Sequence, residues 1–304
     1  MKKDLRDIFF NEIKKVFFKK KNFYILTNDA DVHSLKSLRN NKRFIDVGVA
    51  EQNMINIASG LSFKNNQALV YGFCNFVTFR CYEQLKFNVG SHKCNTKIVG
   101  IGPGFSFSND GPTHHGIQDI YSMYLIPEFE IYNISDGELA YLLGSKIDRL
   151  NGPCYLRLDK GILNFEKKIG YSLKKGFEYI YKSKSKKILI ITTGYFCFNA
   201  HEVSKKFKHV SVLNFFKLKN FNQLKLLKEI KKYDKVIIYD ENTFSGGISP
   251  IISNLLAERK IMIKIYFLVC KNIQLFKYSQ KREVIINKLG LSSKHLQKKI
   301  EKLS

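Results

Sequence analysis

Arg43-Phe-Ile-Asp-Val-Gly-Val-Ala-Glu-Gln-Asn-Met-Ile-Asn-Ile-Ala-Ser-Gly-Leu61 reads as a short apolar strand, a turn through Gly48 and a helix. Met54, Ile57, Ala58 and Leu61 recur at helical spacing, so the helix is amphipathic with those four on its apolar face. Glu51 stands at the helix start, where free backbone N–H groups and the helix dipole favour a carboxylate. Taken by itself, such a residue does no more than steady the helix.

The same alternation of strand and helix extends outward in both directions. Leu5, Ile8, Phe9, Ile13, Val16 and Phe17 predict a helix over 4–20, followed by a strand over 23–26. Ala68 to Gly72 is a continuous apolar run, the pattern of a strand covered on both faces. A helix over 76–90, a strand over 97–101, a short helix over 118–124 and a strand over 129–132 come next. Ser135-Asp-Gly-Glu138 opens a further helix as a capping box, and a strand over 153–158 closes the series. Residues 166–186 lose this rhythm and become lysine-rich, the expected linker. The pattern restarts with strands over 188–192, 210–213, 236–239 and 262–267, a Gly246-Gly247 pair before a helix, and two closing helices. Strands alternating with helices imply parallel sheets covered on both faces. The fold class is therefore α/β with two doubly wound domains, residues 1–165 and 187–304.

A chain of 304 residues with 44% hydrophobic content is long enough for two packed domains. No apolar run approaches the roughly 18 residues needed to span a bilayer. The start, Met-Lys-Lys-Asp-Leu-Arg, leads into a helix and not a signal-peptide apolar core, so a cytoplasmic location is expected. Six cysteines show neither a Cys-x-x-Cys pair nor zinc spacing, which points to reduced, buried thiols and no metal site on this chain. The formal charge is +25. Its lysines are spread through the chain without a basic helix face carrying interleaved aromatics, so they read as compositional drift, and neither nucleic acid nor a membrane surface is the expected partner.

Two further stretches carry candidate chemistry. Phe73-Cys-Asn-Phe76-Val-Thr-Phe79-Arg-Cys-Tyr82-Glu-Gln-Leu85 is a strand end feeding a helix, with aromatics that belong to a core unless a ligand claims them. Gly104-Phe-Ser-Phe-Ser-Asn-Asp110-Gly-Pro-Thr-His114-His115-Gly116 is a loop by its turn residues. Adjacent histidines do not readily share one tetrahedral ion, so the pair is a weak zinc candidate.

Together with Val49-Ala-Glu51-Gln52, these stretches resemble the transketolase family of thiamine diphosphate enzymes, across nearly the whole chain but only the C-terminal half of a full-length member. The family also includes 1-deoxy-xylulose-5-phosphate synthases. The resemblance implies a pyrimidine-binding domain followed by a transketolase C-terminal domain. It assigns Glu51 to N1′ of the cofactor's aminopyrimidine, and Phe76 or Phe79 to stacking on that ring. It assigns His114 to the reacting carbon and substrate hydroxyls, and Asp110 to a donor hydroxyl. His115 stands where the family often has Gln and takes a lesser role. Lys160 replaces a family Arg and offers phosphate a point charge without the bidentate fork. Gly102 stands near the place of a phosphate-binding His. The Gly-Asp-Gly motif that holds diphosphate and Mg²⁺ is missing from the sequence. Those ligands are therefore expected on a separate N-terminal subunit, in a heterotetramer with two of each chain. The expected activity is transfer of a two-carbon ketol unit between sugar phosphates. The alternatives are a synthase-like condensation of pyruvate with an aldehyde and a non-catalytic regulatory or scaffold subunit.

Overall fold

The computed structural model describes residues 3–30, 32–271 and 279–304. The first two residues of the amino-terminal start therefore lie outside the described residues. The chain divides into two compact units, one of residues 1–103 and 123–164, the other of residues 104–122 and 165–304.

In the first unit α1 (Leu5–Lys19) starts where Asp4 accepts the Arg6 N–H, and buries Leu5, Phe9, Phe10, Ile13, Val16 and Phe17. Strands β1 (Phe23–Thr27), β2 (Phe44–Asp46), β3 (Gln67–Phe73), β4 (Thr96–Ile101), β5 (Glu130–Asn133) and β6 (Cys154–Leu158) form one sheet in the order β2-β1-β3-β4-β6-β5. Neighbouring strands run parallel throughout it. Its central strands β3, β4 and β6 are buried nearly throughout, as continuous apolar runs between two helical layers should be. The order reverses between β1 and β3: the chain leaves β1 towards β2 and returns to β3 on the other side. In open parallel sheets such a point leaves a crevice outside the carboxyl ends of the strands.

Helix α2 (Glu51–Phe63) follows β2 through Gly48, whose φ is +67°. Its buried residues are Glu51, Met54, Ile55, Ala58 and Ser59. The expected apolar face is thus rotated: Ile57 and Leu61 are half-buried and Ile55 goes inside. The continuous helix expected over 76–90 is instead a run of short turns, α3 (Cys74–Thr78), a 3₁₀ turn over Phe79–Cys81, α4 (Tyr82–Gln84) and a π-helical turn over Leu85–Ser91. Thr78 Oγ1 donates back to the Cys74 carbonyl at 2.6 Å, the kind of bond that bends a helix. Beyond α5 (Asp119–Tyr124), helix α6 (Gly137–Ser145) is capped by Asp136, which accepts the Leu139 N–H at 2.8 Å. The cap is one residue later than the box expected from Ser135, because Asp136 holds the extended backbone that a cap requires.

The second unit is built on β7 (Phe177–Tyr181), β8 (Ile188–Thr192), β9 (Val210–Phe215), β10 (Lys235–Thr243) and β11 (Lys264–Cys270), in the order β11-β10-β8-β9-β7. β8, β9, β10 and β11 are parallel neighbours, and β7 runs antiparallel to β9. β7 falls inside the stretch read from sequence as linker. Phe196 and Tyr239 stack at 4.4 Å in the core of this unit, among buried residues of β8, β9 and β10 and the helices α7 (Phe196–Ser204), α10 (Arg282–Lys288) and α11 (Ser293–Leu303). Helices α8 (Gln223–Ile230) and α9 (Ser249–Glu258) complete the unit.

Candidate functional site

In the first unit the sequence candidates gather at the carboxyl edge of the sheet, at the β1/β3 reversal. Glu51 is 2% exposed although it opens a helix. Asn28, just past β1, donates from Nδ2 to Glu51 Oε1 at 2.8 Å, and Arg80 donates from Nη1 to Glu51 Oε2 at 2.8 Å. The Arg80 guanidinium lies 4.4 Å over the Phe76 ring, and Phe76 meets Phe73 edge to face at 5.8 Å. Phe76 is half-buried, whereas Phe79 is 41% exposed. Phe76 is thus linked to Glu51 through Arg80. Asp46 at the end of β2 ties the crevice rim together by accepting the N–H groups of Asp29 and Gly48, each at 3.0 Å.

Burial pushes the Glu51 carboxyl up, but the Arg80 hydrogen bond, with the helix-start N–H, Asn28 and the Arg80 charge, holds it below the usual carboxylate range. The carboxylate is therefore ionised at neutral pH. Asn28 Oδ1 is buried and accepts no hydrogen bond among the described residues. A Cβ at Gly72 would lie 2.5 Å from that oxygen, so Gly72 permits the asparagine to sit where it does. Sequence reasoning does not single out Asn28 and Arg80 as partners of Glu51. The available signal is their placement at the ends of a strand and of a helical turn flanking the same crevice.

Lys160 follows β6 on the same edge; it is exposed, and its own N–H donates to Asp159 Oδ1 at 2.8 Å. Arg157, earlier in β6, is 2% exposed. Gly102, with φ +77°, donates its N–H to the Leu158 carbonyl.

Asp110 and His114 lie on the 104–122 segment, which belongs to the second unit although in sequence it falls between strands of the first. Gly104 and Gly116 bridge each other, the Thr243 N–H donates to the Ile117 carbonyl and the Tyr121 N–H to the Gly246 carbonyl. Phe105 N–H donates to Glu241 Oε1 at 3.0 Å. Glu241 is in turn gripped by Arg282, Nε to Oε1 at 2.7 Å and Nη2 to Oε2 at 2.5 Å, and the guanidinium sits 3.6 Å over Tyr195. A Cβ at Gly104, whose φ is +63°, would collide with the Glu241 carboxylate. The loop is thus built around that ion pair. On it Asp110 is exposed, and His114 is half-buried with Nδ1 3.1 Å from Thr113 Oγ1. His115 is buried edge to face on Phe105 at 5.0 Å. Burial lowers the His115 pKa, against a Ser108 backbone bond that raises it, so the ring is neutral and serves as packing.

Among the described residues no group of three or more His, Cys, Asp and Glu side chains could hold a metal ion. All six cysteines are buried and free. No helix among the described residues is long and apolar enough to cross a membrane.

Two α/β units, the first with a buried helix-start carboxylate at the reversal point of a parallel sheet, define a tandem of doubly wound domains. Residues 1–166 match the transketolase pyrimidine-binding domain and residues 178–296 the transketolase C-terminal domain. The chain belongs to the transketolase family. It is 32% identical over 235 residues to 1-deoxy-D-xylulose-5-phosphate synthase of Dictyoglomus thermophilum, covering 74% of this chain and 37% of that one. It is 27% identical over 221 residues to a subunit of the apulose-4-phosphate transketolase of Actinobacillus succinogenes, covering 71% and 70%. The chain therefore spans about a third of the synthase and most of the transketolase subunit. A solved split-gene transketolase, an inactive beta4 tetramer, shares the fold with a TM-score of 0.82 over 99% of this chain and 97% of that one, at 20% identity.

Proposed function

We propose that the chain is the C-terminal subunit of a split, thiamine diphosphate-dependent transketolase that moves a two-carbon ketol unit between sugar phosphates. The observation that carries this reading is Glu51: a buried, ionised carboxylate at a helix start in the crevice of a parallel sheet. An aminopyrimidine offers N–H donors and a flat face. The chain offers it the Glu51 carboxylate, the unused Asn28 Oδ1 acceptor and the Phe76 ring, a set that fits. When bound, thiamine diphosphate supplies the nucleophilic carbon that takes up the two-carbon unit. Glu51 holds a proton shared with the ring nitrogen N1′, and Phe76 orients the ring. His114 hydrogen-bonds substrate hydroxyls near the reacting carbon, Asp110 accepts from a donor hydroxyl, and Lys160 meets a substrate phosphate. The diphosphate and Mg²⁺ fall to an N-terminal partner subunit, two of each chain forming a cytoplasmic heterotetramer. The 32% identity to a synthase favours pyruvate condensation with an aldehyde as the second reading; supplying pyruvate or a ketose donor to the reconstituted complex separates the two.

The test is Glu51→Gln in that complex. Losing a positioned proton-transfer group costs about 10²- to 10⁴-fold in turnover, with assembly intact by sedimentation. A variant of wild-type activity reduces Glu51 to a helix-start residue. Calorimetry on the purified chain complements it: tight, Mg²⁺-dependent binding of thiamine diphosphate without a partner refutes the split site.

A further inference from the structure

Arg80 makes two contacts at once. Its Nη1 donates to Glu51 Oε2 at 2.8 Å, and its planar guanidinium lies 4.4 Å over Phe76. Those are the two kinds of contact, a hydrogen bond to the carboxylate and stacking on the ring, that the proposed function asks an aminopyrimidine to make with the same two residues. A guanidinium is flat and carries N–H donors in its plane, as a protonated or imino-form aminopyrimidine does. The environments of the two partners differ sharply. The Glu51 side chain is 2% exposed and the Arg80 side chain 44% exposed. The carboxylate is fixed by its helix start and by Asn28, whereas the guanidinium has a route into solvent. Arg80 also springs from the 3₁₀ turn over Phe79–Cys81, in a run of short turns, and not from a regular helix that would hold it rigidly.

We propose that Arg80 is a placeholder: its guanidinium takes the seat on Glu51 and Phe76, and an arriving aminopyrimidine displaces it. The inference rests on the reading of Glu51 as the pyrimidine contact. Its physical logic follows from burial. An ionised carboxylate with little solvent needs a donor at every moment, and Arg80 supplies one until the ring does. Once the guanidinium swings out, Glu51 loses its charged partner while remaining buried, so its proton affinity rises as the ring nitrogen arrives to share that proton. Cys81 also feels the Glu51 charge, its thiol pushed up to about 12, by burial first and that charge second. It stays neutral throughout and does not compete for the role.

The experiment uses the full chain, the free aminopyrimidine 4-amino-5-hydroxymethyl-2-methylpyrimidine as probe, and the variants Arg80→Gln, Arg80→Lys and Glu51→Gln, each checked for wild-type folding by circular dichroism. Displacing a partly exposed charge-assisted bond costs the ligand affinity, so Arg80→Gln should bind the probe about 5- to 30-fold tighter than wild type. Arg80→Lys, which keeps the charge but cannot stack flat, should fall between. In wild type, the Arg80 side-chain N–H signal seen by NMR should lose its protection from exchange as the probe is added. Weaker probe binding in Arg80→Gln, or no gain at millimolar probe, overturns the proposal, since Arg80 is then a fixed clamp or a bystander. Retained Arg80 protection in the probe-saturated chain overturns it as well. The Glu51→Gln arm tests the parent reading separately: equal probe affinity in Glu51→Gln and wild type means that Glu51 is not the seat.

Discussion

Replacing Arg282 with methionine tests whether the loop carrying Asp110 and His114 is held by the second unit's buried ion pair. The methionine keeps much of the apolar stem's volume, so the change isolates the charge and its hydrogen bonds. The Arg282 and Glu241 side chains are 10% and 8% exposed and joined by two bonds, with Tyr195 beneath the guanidinium. Removing one partner of a buried pair leaves the other charge in low dielectric with fewer donors, at a cost of about 3–5 kcal/mol. In a unit of this size each kcal/mol moves Tm by roughly 2–4 °C, so the transition that reports the second unit should fall by about 6–20 °C. The same variant should speed amide exchange at Phe105, whose N–H donates to Glu241, and should raise KM for the substrates more than it lowers kcat. Calorimetry and exchange mass spectrometry read these directly. Combining Arg282→Met with Glu241→Leu removes the stranded charge and should recover part of the loss. What persists is about 1–3 kcal/mol for the Phe105 N–H left without its acceptor. A Tm within about 2 °C of wild type, less than one kcal/mol on that scale, with Phe105 exchange unchanged, refutes the reasoning.

Acidification should destabilise the chain in two phases. The folded His115 pKa is lowered below its ordinary 6.5, so that contribution is complete above that ordinary value and is lost as pH falls towards the folded one; His115→Asn should remove this phase from a denaturation series. Glu51 is held below its ordinary 4.5, so its contribution is complete above that pH and disappears as pH falls through the folded value, a phase that Glu51→Gln should abolish. Gly72→Ala places a methyl 2.5 Å from Asn28 Oδ1 and 2.8 Å from Val77 Cγ1. Overpacking of this kind should cost about 1–3 kcal/mol in urea unfolding, and pushing Asn28 off Glu51 should raise the Glu51 pKa seen by carbon NMR. Lys160→Ala should raise KM for phosphorylated sugars by up to about 10-fold, a modest effect because the side chain is exposed, and should leave an unphosphorylated ketol donor untouched. Equal damage to both donors would assign Lys160 to the fold.

The repeating strands and helices are legible because their signals are local. Ile188–Thr192 is an uninterrupted β-branched and apolar run, and the strand has those bounds. The α1 stripe likewise predicts the buried Leu5, Phe9, Ile13, Val16 and Phe17, with Ile8 of the same stripe half-buried. Glu51 reads as a helix-start acid, and the strings around it, Phe76 and His114 carry the family resemblance. β7 escapes a sequence reading although Phe177-Glu-Tyr-Ile-Tyr181 is aromatic-rich and buries Phe177 and Ile180, a strand signal outweighed by the lysines on either side. The break in the helix after Thr78 escapes it because the Thr78 hydroxyl bonds back to the Cys74 carbonyl, which periodicity does not register.

The α/β class, the tandem of two domains and the carboxylate that opens the helix after β2 are all legible in local sequence patterns. What that carboxylate meets follows from long-range contacts. Asn28 and Arg80 lie 23 and 29 residues from Glu51 in the chain and reach it because the sheet order reverses between β1 and β3. The assignment of residues 104–122 to the second unit was settled in the same way, through Glu241, 136 residues from Phe105. Secondary structure follows from short-range sterics and the period of apolar burial. A buried charge takes whichever donors the fold brings within about 3 Å, and no local pattern records that choice.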